Sequence, residues 1–176
     1  MPFGPTPLCP QPFRSTMKTD NHLESNAYDA IVVGAGFAGL YMLHRLRLQG
    51  MRVRVFEAGD GVGGTWFWNC YPGARCDVES MQYSYSFSEE IQQAWVWSER
   101  YPRQEEILKY INHVADHLDL RKDIQFNTRV IGGQFHSNST TWSVQTSDGQ
   151  LHTARFLITA TGCLSASRVP DMSGLD

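Results

Sequence analysis

Between Asp29 and Glu57 the spacing of apolar residues changes twice. Ala30-Ile31-Val32-Val33 is a short continuous apolar run and predicts a strand. After Gly34-Ala35-Gly36-Phe37-Ala38-Gly39 the apolar positions recur at Leu40, Leu43 and Leu46 to Leu48. That broad stripe predicts a helix over Ala38–Gln49, and Gly50 supplies a natural C-terminal stop. Arg52-Val53-Arg54-Val55-Phe56 then predicts a second strand that ends in Glu57. Strand, helix and strand make a βαβ unit.

Farther along, Ile107, Leu108, Ile111, Val114, Ala115 and Leu118 mark one face of a helix from Gln104 to Leu118, with acids at its start, expected to pack on the sheet. Ile124 to Asn127 predicts a short strand. Alternating runs over Val130–Phe135, Thr141–Thr146 and Leu151–Thr153 predict a small antiparallel meander, with Asp148-Gly149 as the hairpin signal between the last two. A buried strand from Arg155 to Thr159 and a turn at Ala160-Thr161-Gly162 complete the pattern.

The glycine-rich turn carries the first chemistry. Gly34 allows a tight turn, Gly36 allows the backbone to approach phosphates, and Gly39 allows the helix to pack closely on the sheet. The N–H groups and dipole of the helix start then face an anion. Glu57 stands where an acid accepts hydrogen bonds from an adenosine ribose, which suits NAD or FAD better than a 2′-phosphate. Gly63 and Gly64 permit another close backbone approach, and Thr65 can donate to a phosphate or ribitol oxygen. Trp66 and Trp68 offer flat walls for a planar ring system, whereas Trp95, Trp97 and Trp142 read as core filling.

At 176 residues the chain is the size of one ordinary globular domain. Its net charge of −3, with both signs interspersed, offers no basic stripe for nucleic acid and no polybasic membrane patch. No apolar run reaches the length of a membrane span and no signal-peptide pattern opens the chain, so the expectation is a cytoplasmic protein. Cys9, Cys70, Cys76 and Cys163 are scattered, so free thiols are expected, with Cys76 in a packing role. His113 and His117 share a helix face but lack a third ligand, which reads as a solvated face and not a metal site. Residues 1–27 are rich in proline and then polar, the composition of a disordered leader, and Met17 opens a more ordinary start.

Thr65-Trp66-Phe67-Trp68-Asn69, Tyr71-Pro72-Gly73-Ala74-Arg75-Cys76-Asp77 and Glu79-Ser80 resemble the flavin-binding region of type I Baeyer–Villiger monooxygenases. The phenylacetone, steroid and cyclododecanone or cyclopentadecanone group is the nearest in kind. The resemblance continues through Tyr83 to Ser88, Trp97 to Tyr101, Tyr110 to Asn112, Val114 to Asp116, Ala160 to Gly162 and Leu164-Ser165. It implies a Rossmann-like, three-layer α/β FAD-binding domain of parallel sheet, helices and small meander over residues 28–165, with 166–176 beginning a linker to an NADPH-binding domain. It also implies FAD contacts at Gly34, Gly36, Phe37, Ala38, Gly39, Glu57, Gly64 to Trp68, Tyr83, the Val130 backbone and Ala160 to Gly162. Arg75, Cys76 and Asp77 would adjoin NADP, and Asp77 would help position an arginine of the nicotinamide domain. The bland alternative for Arg75 and Asp77 is a surface ion pair.

The implied activity is conversion of ketones to esters or lactones with O2 and NADPH through a C4a-peroxyflavin. The linker signature and second glycine motif of the group do not occur before Asp176, so the chain is expected to be an N-terminal portion, inactive alone. Two alternatives stand beside this one. The first is a flavin monooxygenase acting on nitrogen or sulfur, and the second is a truncated, non-catalytic FAD-binding module.

Overall fold

The computed structural model describes residues 26–164 and 171–174. The expected leader up to residue 25, the Met17 start and most of the expected linker lie outside them, while the last two leader residues are ordered, since Ala27 already opens the first strand and the Asn26 carbonyl accepts the Thr153 N–H. The elements in chain order are β1 (Ala27–Val33), α1 (Phe37–Leu48), β2 (Val53–Phe56), α2 (Thr65–Trp68), α3 (Ser80–Tyr83), α4 (Glu89–Gln93), α5 (Gln104–His117), β3 (Ile124–Gln125), β4 (Val130–His136), β5 (Thr141–Thr146) and β6 (Leu151–Thr159). A 3₁₀ turn, Arg121–Asp123, leads into β3. The strands form one sheet in the order β3-β2-β1-β6-β5-β4. β2, β3 and β6 join parallel to their neighbours around β1, while β4, β5 and β6 are antiparallel.

Alternation along β1 and β2 builds two cores. Ala30, Val32, Val53 and Val55 face Leu40 and Leu43 of α1 and Ile111 and Ala115 of α5. Ile31 and Phe56 point the other way and pack with Val130, Trp142, Val144 and Ala154. Phe56 thus meets side chains from strands that are not its sheet neighbours, so the meander curls over the second face and the expected three layers result. Trp95 and Trp97 fill a further cluster around Ile91, Tyr110 and Val114, and Trp142 joins the meander core, as expected.

Several boundaries differ from the expectation. α1 begins at Phe37, its buried stripe stops short of Leu48, which is 68% exposed, and Gly50 at φ +73° turns the chain away just beyond the helix. The strand expected over Ile124–Asn127 ends at Gln125, since Asn127 adopts φ +53°. Leu151–Thr153 and Arg155–Thr159 are one strand and not two. Its first part pairs with β5 and its greater part with β1, so one segment serves both the meander and the parallel sheet. Nor is Arg155–Thr159 buried, for Phe156 is 49% exposed. Past Ala154 this strand pairs on one side only among the described residues, and its outer flank is left to solvent.

Candidate functional site

The carboxyl ends of β1, β2 and β6 open into a cleft of about 870 Å³. Ligand sites in open α/β sheets form at this edge, beside the strand neighbouring β1 on each side. Val33, Phe56 and Thr159 form its floor, and the starts of α1 and α2 form its rim.

Each glycine of the first turn has its own constraint. Gly34 has φ +102°, and a Cβ there would stand 2.7 Å from the carbonyl oxygen of Ala160. A Cβ on Gly39 would stand 1.8 Å from the Gly34 carbonyl oxygen, so α1 can cross the strand end only with hydrogen at that position. Gly36 has φ −80°, and its Cβ would meet nothing closer than the Gly64 Cα at 3.4 Å. The protein therefore tolerates a side chain at Gly36, and its absence leaves room toward the cleft. No side chain caps α1, so the amides of its first turn face the cleft without a side-chain acceptor.

The second glycine pair docks on the first turn. The Gly63 N–H donates to the Ala35 carbonyl at 3.0 Å, and a Cβ on Gly64 would stand 2.9 Å from the Gly36 Cα. This contact brings Thr65, Trp66 and Trp68 to the cleft wall. Gln104 of α5 holds the same turn from behind, donating its side-chain N–H to the Trp66 carbonyl. Phe37, Tyr83 and Trp66 make a continuous aromatic wall, with ring centroids 5.6 and 5.5 Å apart along the series. The Tyr85 hydroxyl donates to the Phe37 carbonyl while its N–H donates to the Tyr110 hydroxyl, which fastens the start of α1 to α5.

Glu57 is 5% exposed. One carboxylate oxygen accepts from the Ala35 N–H at 2.6 Å and the other from the Gly59 N–H at 2.8 Å. The acid thus locks the glycine turn to the end of β2 while lining the cleft, and each oxygen keeps capacity to accept a further hydrogen bond.

Of the expected cofactor residues, Gly34, Gly36, Phe37, Ala38, Glu57, Gly64, Thr65, Trp66, Trp68, Tyr83, Val130, Ala160, Thr161 and Gly162 line this cleft. Gly39 and Phe67 stand behind it. Gly39 is the helix crossing point, and Phe67 is buried against Gly59, Gly61 and Gly63. Asp77 is exposed and off the wall, though its charge is felt at the Tyr83 phenol, which burial chiefly pushes above its ordinary pKa. Arg75 does not pair with Asp77. Its guanidinium donates to Glu99 and to the Tyr101 carbonyl, both at 2.7 Å, and this contact holds the Glu99 carboxyl low.

Cys76 is buried, its thiol donates to the Val78 carbonyl at 3.0 Å, and burial pushes its pKa up, consistent with packing. Cys76 and Cys163 are free, but Cys70 is disulfide-bonded, contrary to the expectation of free thiols. Spacing reveals only frameworks that are close in sequence. No group of three or more metal-ligating side chains occurs among the described residues, and His117 instead meets Glu90 at 3.3 Å. No described helix is long and apolar enough to cross a membrane.

Sequence reasoning missed Phe56, Gln82, Thr128 and Arg129 as cleft residues. Phe56 and the Thr128-Arg129 pair could have been found from the rule that a parallel sheet gathers its ligand at one edge, because they end or follow strands on that edge. Gln82 carries no such signal.

Uncapped helix start, interlocked glycine turns and an acid at the end of β2 define a Rossmann-like dinucleotide-binding protein. A family model described as an NAD(P)-binding Rossmann-like domain matches residues 32–96. A Baeyer–Villiger monooxygenase of Pseudooceanicola batsensis is 49% identical over 85% of this chain and 28% of its own length. A phenazine N-monooxygenase of Lysobacter antibioticus matches at the same 49%, over 85% of this chain and 28% of that protein. Among solved structures, an oxidized steroid monooxygenase bound to NADP is 56% identical with a TM-score of 0.81, covering 85% of this chain and 29% of that one. OTEMO in complex with FAD and NADP is 47% identical with a TM-score of 0.79, over 84% of this chain and 28% of that one. In sequence and fold this chain is similar to Baeyer–Villiger and related monooxygenases, and it spans about 28% of the length of the curated relatives it matches.

Proposed function

We propose that residues 28–165 bind FAD as part of an FAD- and NADPH-dependent monooxygenase that converts ketones to esters or lactones with O2. The observation that carries the reading is the meeting of the uncapped α1 start with the Gly63-Gly64 turn above Glu57 in one cleft. Relatives named as monooxygenases, and a solved neighbour holding both FAD and NADP, support the choice of cofactor. Bound FAD would supply the redox and oxygen chemistry. The chain's own residues bind and orient it.

Amides of the α1 first turn would receive the pyrophosphate, and Glu57 would accept ribose hydroxyl protons in hydrogen bonds. Phe37, Trp66, Trp68 and Tyr83 would exclude water from an apolar ring, and Ala160 to Gly162 would close the opposite side. Asp77, outside the cleft, would set the local field and help place an arginine supplied from elsewhere in the protein. Arg75 and Cys76 would adjoin NADPH from the same loop, and residues 166–176 would begin the linker to its domain. The chain by itself is proposed to lack NADPH-driven turnover. A cytoplasmic setting rests on the free thiols of Cys76 and Cys163, and the Cys70 disulfide stands against it.

Oxygenation at nitrogen is a second reading, favoured by the phenazine N-monooxygenase that matches as well as the Baeyer–Villiger relative. Both readings share the FAD step. The purified chain is expected to take up FAD and show a protein-bound flavin spectrum that Gly36→Ala abolishes. A well-folded chain with no bound flavin at saturating FAD sinks both readings.

A further inference from the structure

The geometry points to Arg129 as one face of the base subsite, its guanidinium lying over the purine of the bound dinucleotide and selecting FAD over FMN. This rests on the FAD-binding reading above. The order of groups along the cleft places it. The α1 amides sit at the glycine turn, Glu57 is tied to that turn through Ala35, and the Glu57 carbonyl accepts the Thr128 N–H at 2.8 Å. Arg129 follows Thr128. A dinucleotide with phosphates at the glycines and a ribose at Glu57 has its base next, beside Arg129.

The side chain leaves from a fixed backbone. The Arg129 N–H donates to the Ser147 hydroxyl at 3.0 Å, and its carbonyl accepts the Ser147 N–H at 2.8 Å. The residue is exposed and lines the cleft, and its guanidinium has no hydrogen bond or ion pair among the described residues. Among the described residues it is the only cation on the cleft wall. The neighbouring groups leave no planar face free, since Phe56 is 1% exposed with its ring packed into the meander core. Thr128 is buried with its hydroxyl spent on the Phe126 carbonyl, and Ala58 and Val130 are aliphatic. The aromatic wall of Phe37, Tyr83 and Trp66 belongs to the helical side of the cleft. On the β3–β4 side the guanidinium is the flat group available to a purine, and a cation over a π face attracts it. A phosphate role fits less well, since Glu57 stands between Arg129 and the glycine amides.

The test uses the whole 176-residue chain with Arg129→Ala, Arg129→Lys and Arg129→Tyr, each checked by circular dichroism for a native melt. Flavin fluorescence titration measures Kd for FAD and FMN. Arg129→Ala is expected to weaken FAD about tenfold and leave FMN unchanged, while Arg129→Tyr, flat but uncharged, recovers most of the loss. Equal weakening of FAD and FMN, or a tyrosine variant as weak as the alanine one, overturns the inference in favour of phosphate contact. Unchanged FAD binding by Arg129→Ala overturns the inference alone, whereas wild-type chain that binds no FAD overturns the FAD reading with it.

Discussion

Gly36 and Gly39 stand three residues apart and are needed for different reasons. At Gly39 the obstacle is the protein, since a Cβ would overlap the Gly34 carbonyl oxygen at 1.8 Å. Gly39→Ala is expected to cost about 3 kcal/mol or more in urea denaturation, or to prevent folding. At Gly36 the obstacle is the ligand. Gly36→Ala should change stability by less than about 1 kcal/mol, because its backbone suits alanine and its Cβ would find 3.4 Å of clearance, yet it should abolish FAD uptake. Equal destabilisation by the two variants contradicts this division of labour. His152 is a second residue whose role came only with the structure. It is 3% exposed under the meander, its ring lies 4.6 Å from Phe56, and neither ring nitrogen has a hydrogen-bond partner. Burial chiefly lowers its pKa, with Arg54 adding to the effect and Asp148 opposing it. A depressed folded pKa means that the unfolded chain binds the proton first. The stability contribution is complete above the unfolded value near 6.5 and is lost as pH falls from there through the folded value, at most about 1.4 kcal/mol per pH unit. His44 is lowered too, and the depressed Glu99 carboxyl adds to the loss toward pH 4.5, so His152 accounts for only part of the wild-type slope. Denaturation curves between pH 7 and pH 4.5 should show a shallower loss for His152→Phe, and slopes that coincide would refute the assignment.

At the scale of elements, the cleft depends on α5, which contributes no cleft residue of its own. Gln104 opens this helix at 6% exposure and donates to the Trp66 carbonyl, while its backbone N–H donates to the Ala74 carbonyl. Three segments meet at one residue, the side chain holding Trp66 and the backbone holding Ala74. Gln104→Leu leaves the buried carbonyl without a donor and is expected to cost about 1–3 kcal/mol. Gln104→Glu, of equal size, should be no better at neutral pH, because it sets a carboxylate against that carbonyl. If the glutamate variant matched wild type in both denaturation midpoint and FAD affinity, the donor would have no role. β6 was misread for a related reason. Ala154 lies where the strand leaves β5 and continues along β1, and the local pattern contains no sign that one strand has two sheet neighbours in turn.

Over the whole molecule, local pattern carried the βαβ unit, α5, the meander and the Asp148-Gly149 turn, because each obeys a rule within a few residues. Gly149 has φ +83°, and the Asp148 carboxylate accepts from the Thr146 hydroxyl at 2.6 Å. The glycine motif and Glu57 were likewise visible, since a dinucleotide imposes their spacing on the chain. What required the fold was every relation between segments far apart in sequence. Arg75 meets Glu99 and not Asp77 because the loop turns its guanidinium toward the strand-like bridge between Arg75 and Arg103. Phe67 stands behind the wall that Trp66 and Trp68 line, because Gly59 and Gly61 leave space for its ring. Arg129 reaches the cleft because Thr128 bonds back to the end of β2. The sequence by itself determined the class of fold and the anion-binding turn, both written in short-range periodicity and backbone sterics. Tertiary structure alone decided which side chains face the ligand, which brace it and which only pack, because side-chain direction depends on the elements that cover each surface.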